Sequence, residues 1–190
     1  MPAVAAPGRR RHDAGMPFAV ELTLERETAQ PVRRIWRRLA KVGIRYMTDS
    51  RADPHVTLGV WDDLAVDRSV DVVSDLARTT APVPLTFTGV RTFGAGVVFL
   101  APEASRRLTA LQARVWAEVD PLAVGAWPNY AAGAWVPHCT LAMELGAVDV
   151  EAALAIANMI ALPLEGYADR LSIVEFRPVR ERHSFPLTGA

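Results

Sequence analysis

The pentapeptide Pro-His-x-Thr-Leu occurs twice in this chain, as Pro54-His55-Val56-Thr57-Leu58 and as Pro137-His138-Cys139-Thr140-Leu141. Of four histidines, two stand 83 positions apart (55 and 138) in the same local setting. Side chains along a strand alternate between its faces. In each copy His and Thr therefore point one way, while Val56 or Cys139 and Leu58 or Leu141 point the other. Packing asks for the apolar set and is indifferent to His and Thr. The repeat thus calls for two similar halves, each offering an imidazole and a hydroxyl to one surface.

The flanking pattern agrees. Residues 18–24 (FAVELTL) read as a strand and 28–42 as a helix, with Val32, Ile35, Trp36 and Leu39 on one apolar stripe and Gly43 as its stop. The first His-Thr strand, a helix over 65–78 and a strand over 85–92 complete the first half. At Gly94-Ala95-Gly96 the order restarts: strand 97–100, helix 104–119, an aromatic loop over 120–134, the second His-Thr strand, helix 148–160 and strand 171–176. A last short strand is expected around 184–187. The Pro-Leu pairs that close the second helix of each half, at Pro84 and Pro163, are 79 positions apart (84 and 163). These spacings predict an internal duplication, one domain over 16–190 with lobes of about 16–93 and 94–190 around a shared cleft.

Composition narrows the classes. A chain of 190 residues, 51% hydrophobic and 22% charged, suits one soluble globular domain. Zero formal net charge gives no broad polyanion-binding surface, and DNA is not an expected partner. Cys139 is the only cysteine, which excludes an intramolecular disulfide and a Cys-rich zinc site. No apolar run is long enough to cross a membrane. Residues 1–15 combine Pro, Gly and an Arg run without an apolar core, so a disordered tail is expected, with Met16 an alternative start. A cytoplasmic monomer is the expectation.

Two histidines and two hydroxyls facing one cleft suit phosphodiester cleavage without metal or other cofactor. Imidazole titrates near neutrality, so one His can take a proton from water or a sugar hydroxyl while the other protonates the departing oxygen. The Thr hydroxyls can hold non-bridging phosphate oxygens as charge shifts. Cys139 is expected in the core, away from the cleft.

The doubled PHVTL/PHCTL motif resembles the signature of the 2H phosphoesterase superfamily, which includes 2'-5' RNA ligase-like proteins and RNA 2',3'-cyclic phosphodiesterases. The resemblance runs from about Phe18 to Leu187. It implies an α+β, bilobal, pseudo-twofold fold, with two antiparallel sheets flanking a central cleft and helices outside. It implies His55, Thr57, His138 and Thr140 as catalytic residues, and a small nucleotide or RNA end as substrate. The cyclic phosphodiesterase branch carries Arg two positions after the Leu of its second motif. Here Met143 stands there, with Val60 in the first motif, which leaves Arg91 and Arg177 as candidate cations.

Other features have competing readings. Arg33, Arg34, Arg37 and Arg38 read as a solvated helix face before a nucleic-acid track. Trp127, Tyr130 and Trp135 crowd the loop before the second motif, where they either stack a base or pack a lid. His12 falls in the tail, and His183 reads as a surface or strand residue. A binding module without turnover and a metal-dependent hydrolase drawing on Asp49 or Asp53 are the alternatives to the phosphoesterase.

Overall fold

The computed structural model describes residues 16–190, so the expected tail over 1–15 and His12 lie outside the described residues. The chain runs β1 (Phe18–Leu24), α1 (Arg26–Lys41), α2 (Tyr46–Asp49), β2 (His55–Leu64), α3 (Val66–Arg78), β3 (Val83–Phe93), β4 (Val97–Pro102), α4 (Arg106–Val119), β5 (Ala123–Ala126), β6 (Cys139–Met143), α5 (Asp149–Ala157), β7 (Leu164–Glu175) and β8 (Arg180–Pro186). No helix among the described residues is long and apolar enough to cross a membrane.

Local sequence accounts for most of these elements. The Glu25 carboxylate caps α1 by accepting from the backbone N–H groups of Glu27 and Thr28, and Ser105 caps α4 through Leu108 N–H. Thr28, Ala29, Val32, Ile35, Trp36 and Leu39 form the buried stripe of α1. Arg34, Arg37 and Arg38 are exposed, the solvated face the spacing predicts. Gly94, at φ 53°, turns the β3–β4 hairpin.

The strands are connected in the order β5-β2-β1-β7-β3-β4-β6, with β8 added on β7, and all pairs are antiparallel. Strand β7 serves two neighbourhoods. Its start, from Leu164 to Ala168, pairs with β3, and its remainder pairs with β1 and β8. The two sheets are thus continuous through one strand.

The lobes do not coincide with the sequence halves 16–93 and 94–190. Strands β1 and β2 of the first half take β7 of the second as their neighbour, while β4 and β6 of the second take β3 of the first. The first half lends β3 to the second, and the second lends β7 to the first. Sequence order records which strands are similar but not which edge each one joins. The exchange also locates the pseudo-twofold axis. Thr86 lies opposite Glu165, and these positions are 79 apart (86 and 165), the same spacing as the two Pro-Leu pairs. A residue that faces its own copy lies on the axis relating the copies.

The duplication extends to a defect in each ladder. Between Val20↔Gly59 and Glu21↔Thr57 the residue Leu58 has no partner, and between Val98↔Ala142 and Phe99↔Thr140 the unpartnered residue is Leu141. Both halves therefore carry a β-bulge directly after the His-x-Thr, where a bulge bends the strand and re-aims its neighbours. Leu58, Leu141, Val56 and Cys139 are fully buried on the back of these strands. Helix α4 packs on β2 and α1 on β6, so helices as well as strands cross between halves.

Three elements differ from the sequence pattern. Strand β7 begins seven residues before the expected 171, because Leu164 to Arg170 (LEGYADR) has no apolar alternation and pairs through its main chain. Strand β5 lies within the expected loop over 120–134, held on β2 at Trp61, Asp63 and Leu64. Strand β8 begins at Arg180, earlier than its apolar end suggests.

Candidate active site

The sheet curls until β2 and β6, distant in the hydrogen-bonded order, come into contact. This brings the two motifs together. His138 lies close enough to His55 to feel the charge of that ring, and the Cys139 thiol rests against the His55 backbone.

Each imidazole is anchored identically. His55 Nδ1 lies 2.6 Å from the carbonyl of Asp53, and His138 Nδ1 lies 2.7 Å from that of Val136. A carbonyl only accepts, so both Nδ1 atoms carry the proton and donate it. That leaves each Nε2 without a proton of its own unless the ring is charged.

The bulges free main-chain carbonyls beside the His-x-Thr side chains, and side chains of the opposite half take them. Trp135 Nε1 donates to Thr57 O at 2.9 Å, and Gln112 Nε2 donates to Leu58 O at 3.2 Å. In the other motif, Trp36 Nε1 donates to Thr140 O at 3.1 Å. Trp135, a stacking candidate by sequence, is a brace.

Residues directly opposite one another across a sheet share a face. One cleft-facing row reads Ser172, Glu21, Thr57 across β7, β1 and β2; its counterpart reads Arg91, Phe99, Thr140 across β3, β4 and β6. Backbone and His-x-Thr are duplicated, but the middle of each row is not. Glu21 Oε1 lies 3.3 Å from His55 Nε2, with both side chains nearly covered. His138 instead makes T-shaped contacts with the rings of Phe93 and Phe99, at centroid distances of 5.0 and 5.5 Å.

The electrostatics follow. Burial pushes the Glu21 carboxyl above its usual range, and the nearby His55 partly offsets this. Burial holds His138 below the ordinary imidazole range against the hydrogen bond to Val136, and the His55 charge pushes the same way as burial. Burial raises the Tyr130 phenol to about 12, with the Glu21 charge adding and a hydrogen bond with Thr57 opposing. Tyr130 thus stays a neutral phenol beside Thr57 and Glu21. The Cys139 thiol, pushed to about 12 by burial, is a core group.

The structure gathers His55, Thr57, His138, Thr140 and Tyr130. Arg91 is exposed on the Thr140 row, with no ion-pair partner among the described residues. Trp127 and Arg177 are not brought to the histidines. The Trp127 indole donates to Asp62 and packs edge-on against Phe176, roughly 20 Å along β2 from His55. Arg177 lies 4.0 Å from Glu144, just past the end of β6. Val60, the first-motif position equivalent to the expected Arg, is buried opposite Ala19 and supplies no cation. Among the described residues no three His, Cys, Asp or Glu side chains cluster as metal ligands would. Glu21 is the site residue that motif reading missed, and its signal was a lone carboxylate inside an otherwise apolar strand.

The two His-x-Thr strands, each with its imidazole anchored through Nδ1, come together from exchanged halves. The chain belongs to the 2'-5' RNA ligase superfamily, whose model matches residues 24–180, and so to the 2H phosphoesterases. Similar solved structures include TT0787 of Thermus thermophilus, at 19% identity and TM-score 0.57, covering 92% of this chain and 99% of that one. E. coli LigT complexed with 3'-AMP aligns at 14% identity and TM-score 0.58, covering 91% and 98%. Kluyveromyces marxianus Usb1 aligns at 16% identity and TM-score 0.52, covering 92% and 99%. No curated protein matches the sequence. These likenesses establish the fold, and family membership supports phosphoesterase or ligase-like chemistry.

Proposed function

We propose that the protein hydrolyses a 2',3'-cyclic phosphate, or a related 2'-5' phosphodiester, in a nucleotide or at an RNA end. The observation that carries this reading is the pair of Nδ1-anchored imidazoles, His55 and His138, each with a Thr hydroxyl on the same face. A water molecule attacks phosphorus and loses its proton to one Nε2. The bond from phosphorus to the ribose oxygen breaks, and that oxygen takes a proton from the other Nε2. Thr57 and Thr140 donate to the non-bridging oxygens. A nucleotide as ligand is supported by E. coli LigT, crystallised with 3'-AMP and with phosphate. Arg91, the exposed cation on the Thr140 row, is the candidate for the phosphate or the neighbouring nucleotide.

The test is hydrolysis of 2',3'-cyclic nucleotides followed by chromatography, with and without EDTA. Turnover that survives EDTA and falls at least about 100-fold in His55→Ala and His138→Ala is expected. Tight nucleotide binding without product would instead mark a binding module, and loss on chelation a metal-dependent enzyme.

A further inference from the structure

We propose that Glu21 is a positioning residue that makes His55 the proton donor of the reaction and leaves His138 as the proton acceptor. This assignment rests on the phosphoesterase reading and settles an order that two identical motifs leave open.

The observation is the broken symmetry of the two cleft-facing rows. Glu21 stands opposite Thr57 where Phe99 stands opposite Thr140. At 3.3 Å, Glu21 Oε1 addresses the free nitrogen of His55, since Nδ1 is engaged by Asp53 O. A carboxylate oxygen and an imidazole nitrogen this close in a nearly covered setting are at ion-pair distance, and their attraction needs one proton on the couple. It resides on Nε2 beside a carboxylate, or on the carboxyl beside a neutral ring. In either form the couple stores one proton more than a neutral imidazole beside a carboxylate.

His138 has no such partner. The rings of Phe93 and Phe99 flank it in T-shaped contacts, and the His55 charge lowers its affinity for a proton. A positive ring beside it and apolar walls around it both favour a neutral His138 with a free Nε2 lone pair.

The other groups around His55 do not compensate. Asp53 presents its carbonyl, and its carboxylate is taken by Arg33 of α1. Tyr130 is a neutral phenol, and Cys139 of β6 is a neutral thiol. Glu181 of β8 faces Glu21 and accepts from Ser172 Oγ at 3.0 Å, which adds negative charge on the same side.

Every proton in the step has a source and a destination. Water attacks phosphorus and gives its proton to His138 Nε2. The bond to the ribose oxygen breaks, and that oxygen receives the proton held between His55 Nε2 and Glu21. Solvent then takes a proton from His138 and restores one to the couple.

A leaving group that needs no proton separates the roles. With 2',3'-cyclic nucleotides, Glu21→Gln and His55→Ala are each expected to lower kcat by about 100-fold. With thymidine 3'-(4-nitrophenyl phosphate), whose phenolate departs unprotonated, the same variants should lose less than about 5-fold, and His138→Ala should stay about 100-fold impaired. Glu21→Asp should recover part of the cyclic-nucleotide rate. Equal losses on both substrates, or an aryl ester that rescues His138→Ala instead, would overturn the assignment.

Imidazole 15N spectra of the unliganded protein give a second reading. Near pH 7 the His55 Nε2 signal should show a bound or shared proton that Glu21→Gln removes, and the His138 Nε2 signal should be that of a free lone pair. A His55 spectrum indifferent to Glu21→Gln overturns the proposal even if turnover is normal. Wild-type protein that cleaves neither substrate overturns the phosphoesterase reading itself.

Discussion

The indole N–H of Trp36 reaches the main-chain carbonyl of Thr140, 3.1 Å away and 104 positions on in the chain. Trp135 does the same for Thr57 across 78 positions in the opposite sense. Each motif is therefore held by a tryptophan of the other half, at a carbonyl beside the bulge. Rigid support of this kind keeps two imidazoles at one working separation.

Trp36→Phe keeps an aromatic ring in a buried position but removes the donor. An unsatisfied carbonyl should cost roughly 1–2 kcal/mol, seen as a fall of a few degrees in Tm by calorimetry. Turnover should fall by more than the loss of folded protein explains. An unchanged Tm and rate would show that the brace is dispensable.

Stability should also respond to pH through His138. Burial depresses its affinity for a proton in the folded state relative to the ordinary 6.5. The stability it contributes is therefore complete above pH 6.5 and declines as pH falls through the folded-state value. His138→Asn removes the titrating group and should lose less Tm than wild type between about pH 7 and 5. Parallel curves would refute the link.

Glu21 has the opposite sign. Burial raises its carboxyl above the ordinary 4.5, so its contribution is complete below that pH and is lost as pH rises through the folded value. Glu21→Gln should melt at the same temperature as wild type or a few degrees higher at about pH 8, with the gap closing below pH 4.5. A residue that costs stability and supports turnover is the usual sign of a functional compromise. A lower Tm for the variant in mild alkali would contradict this.

Cys139 is the chain's single thiol, buried and pushed to about 12. The folded protein at about pH 8 should not react with a thiol reagent such as Ellman's, and one equivalent should react in denaturant. Rapid labelling of the folded form would place the thiol in the cleft.

The doubled motif and the α1 stripe were legible in the sequence because both are local periodicities. His and Thr sit on one face whatever their neighbours do. Glu21 was visible as a charge within FAVELTL, but its partner was not: the register that sets it opposite Thr57 depends on a bulge at Leu58. The start of β7 was hidden because Leu164 to Arg170 carries no alternation. Trp127, read as stacking a base or packing a lid, instead bonds Asp62. The course of that loop turns on Gly125 and Gly133, both at positive φ, and on pairing with β2. Motif spacing says nothing of either.

The axis through Thr86 and Glu165 has a consequence for what the duplicated scaffold is able to hold. Two separate copies of one half, assembled about that axis, would repeat at position 99 whatever they carried at position 21. A carboxylate beside one histidine would be a carboxylate beside both. Joined in a single polypeptide, the halves are freed from that obligation, and Glu21 and Phe99 have parted company while the backbone around them stayed the same. The linkage near Gly94 to Gly96 is thus more than a hairpin turn: it leaves the two sides of a symmetric cradle free to differ.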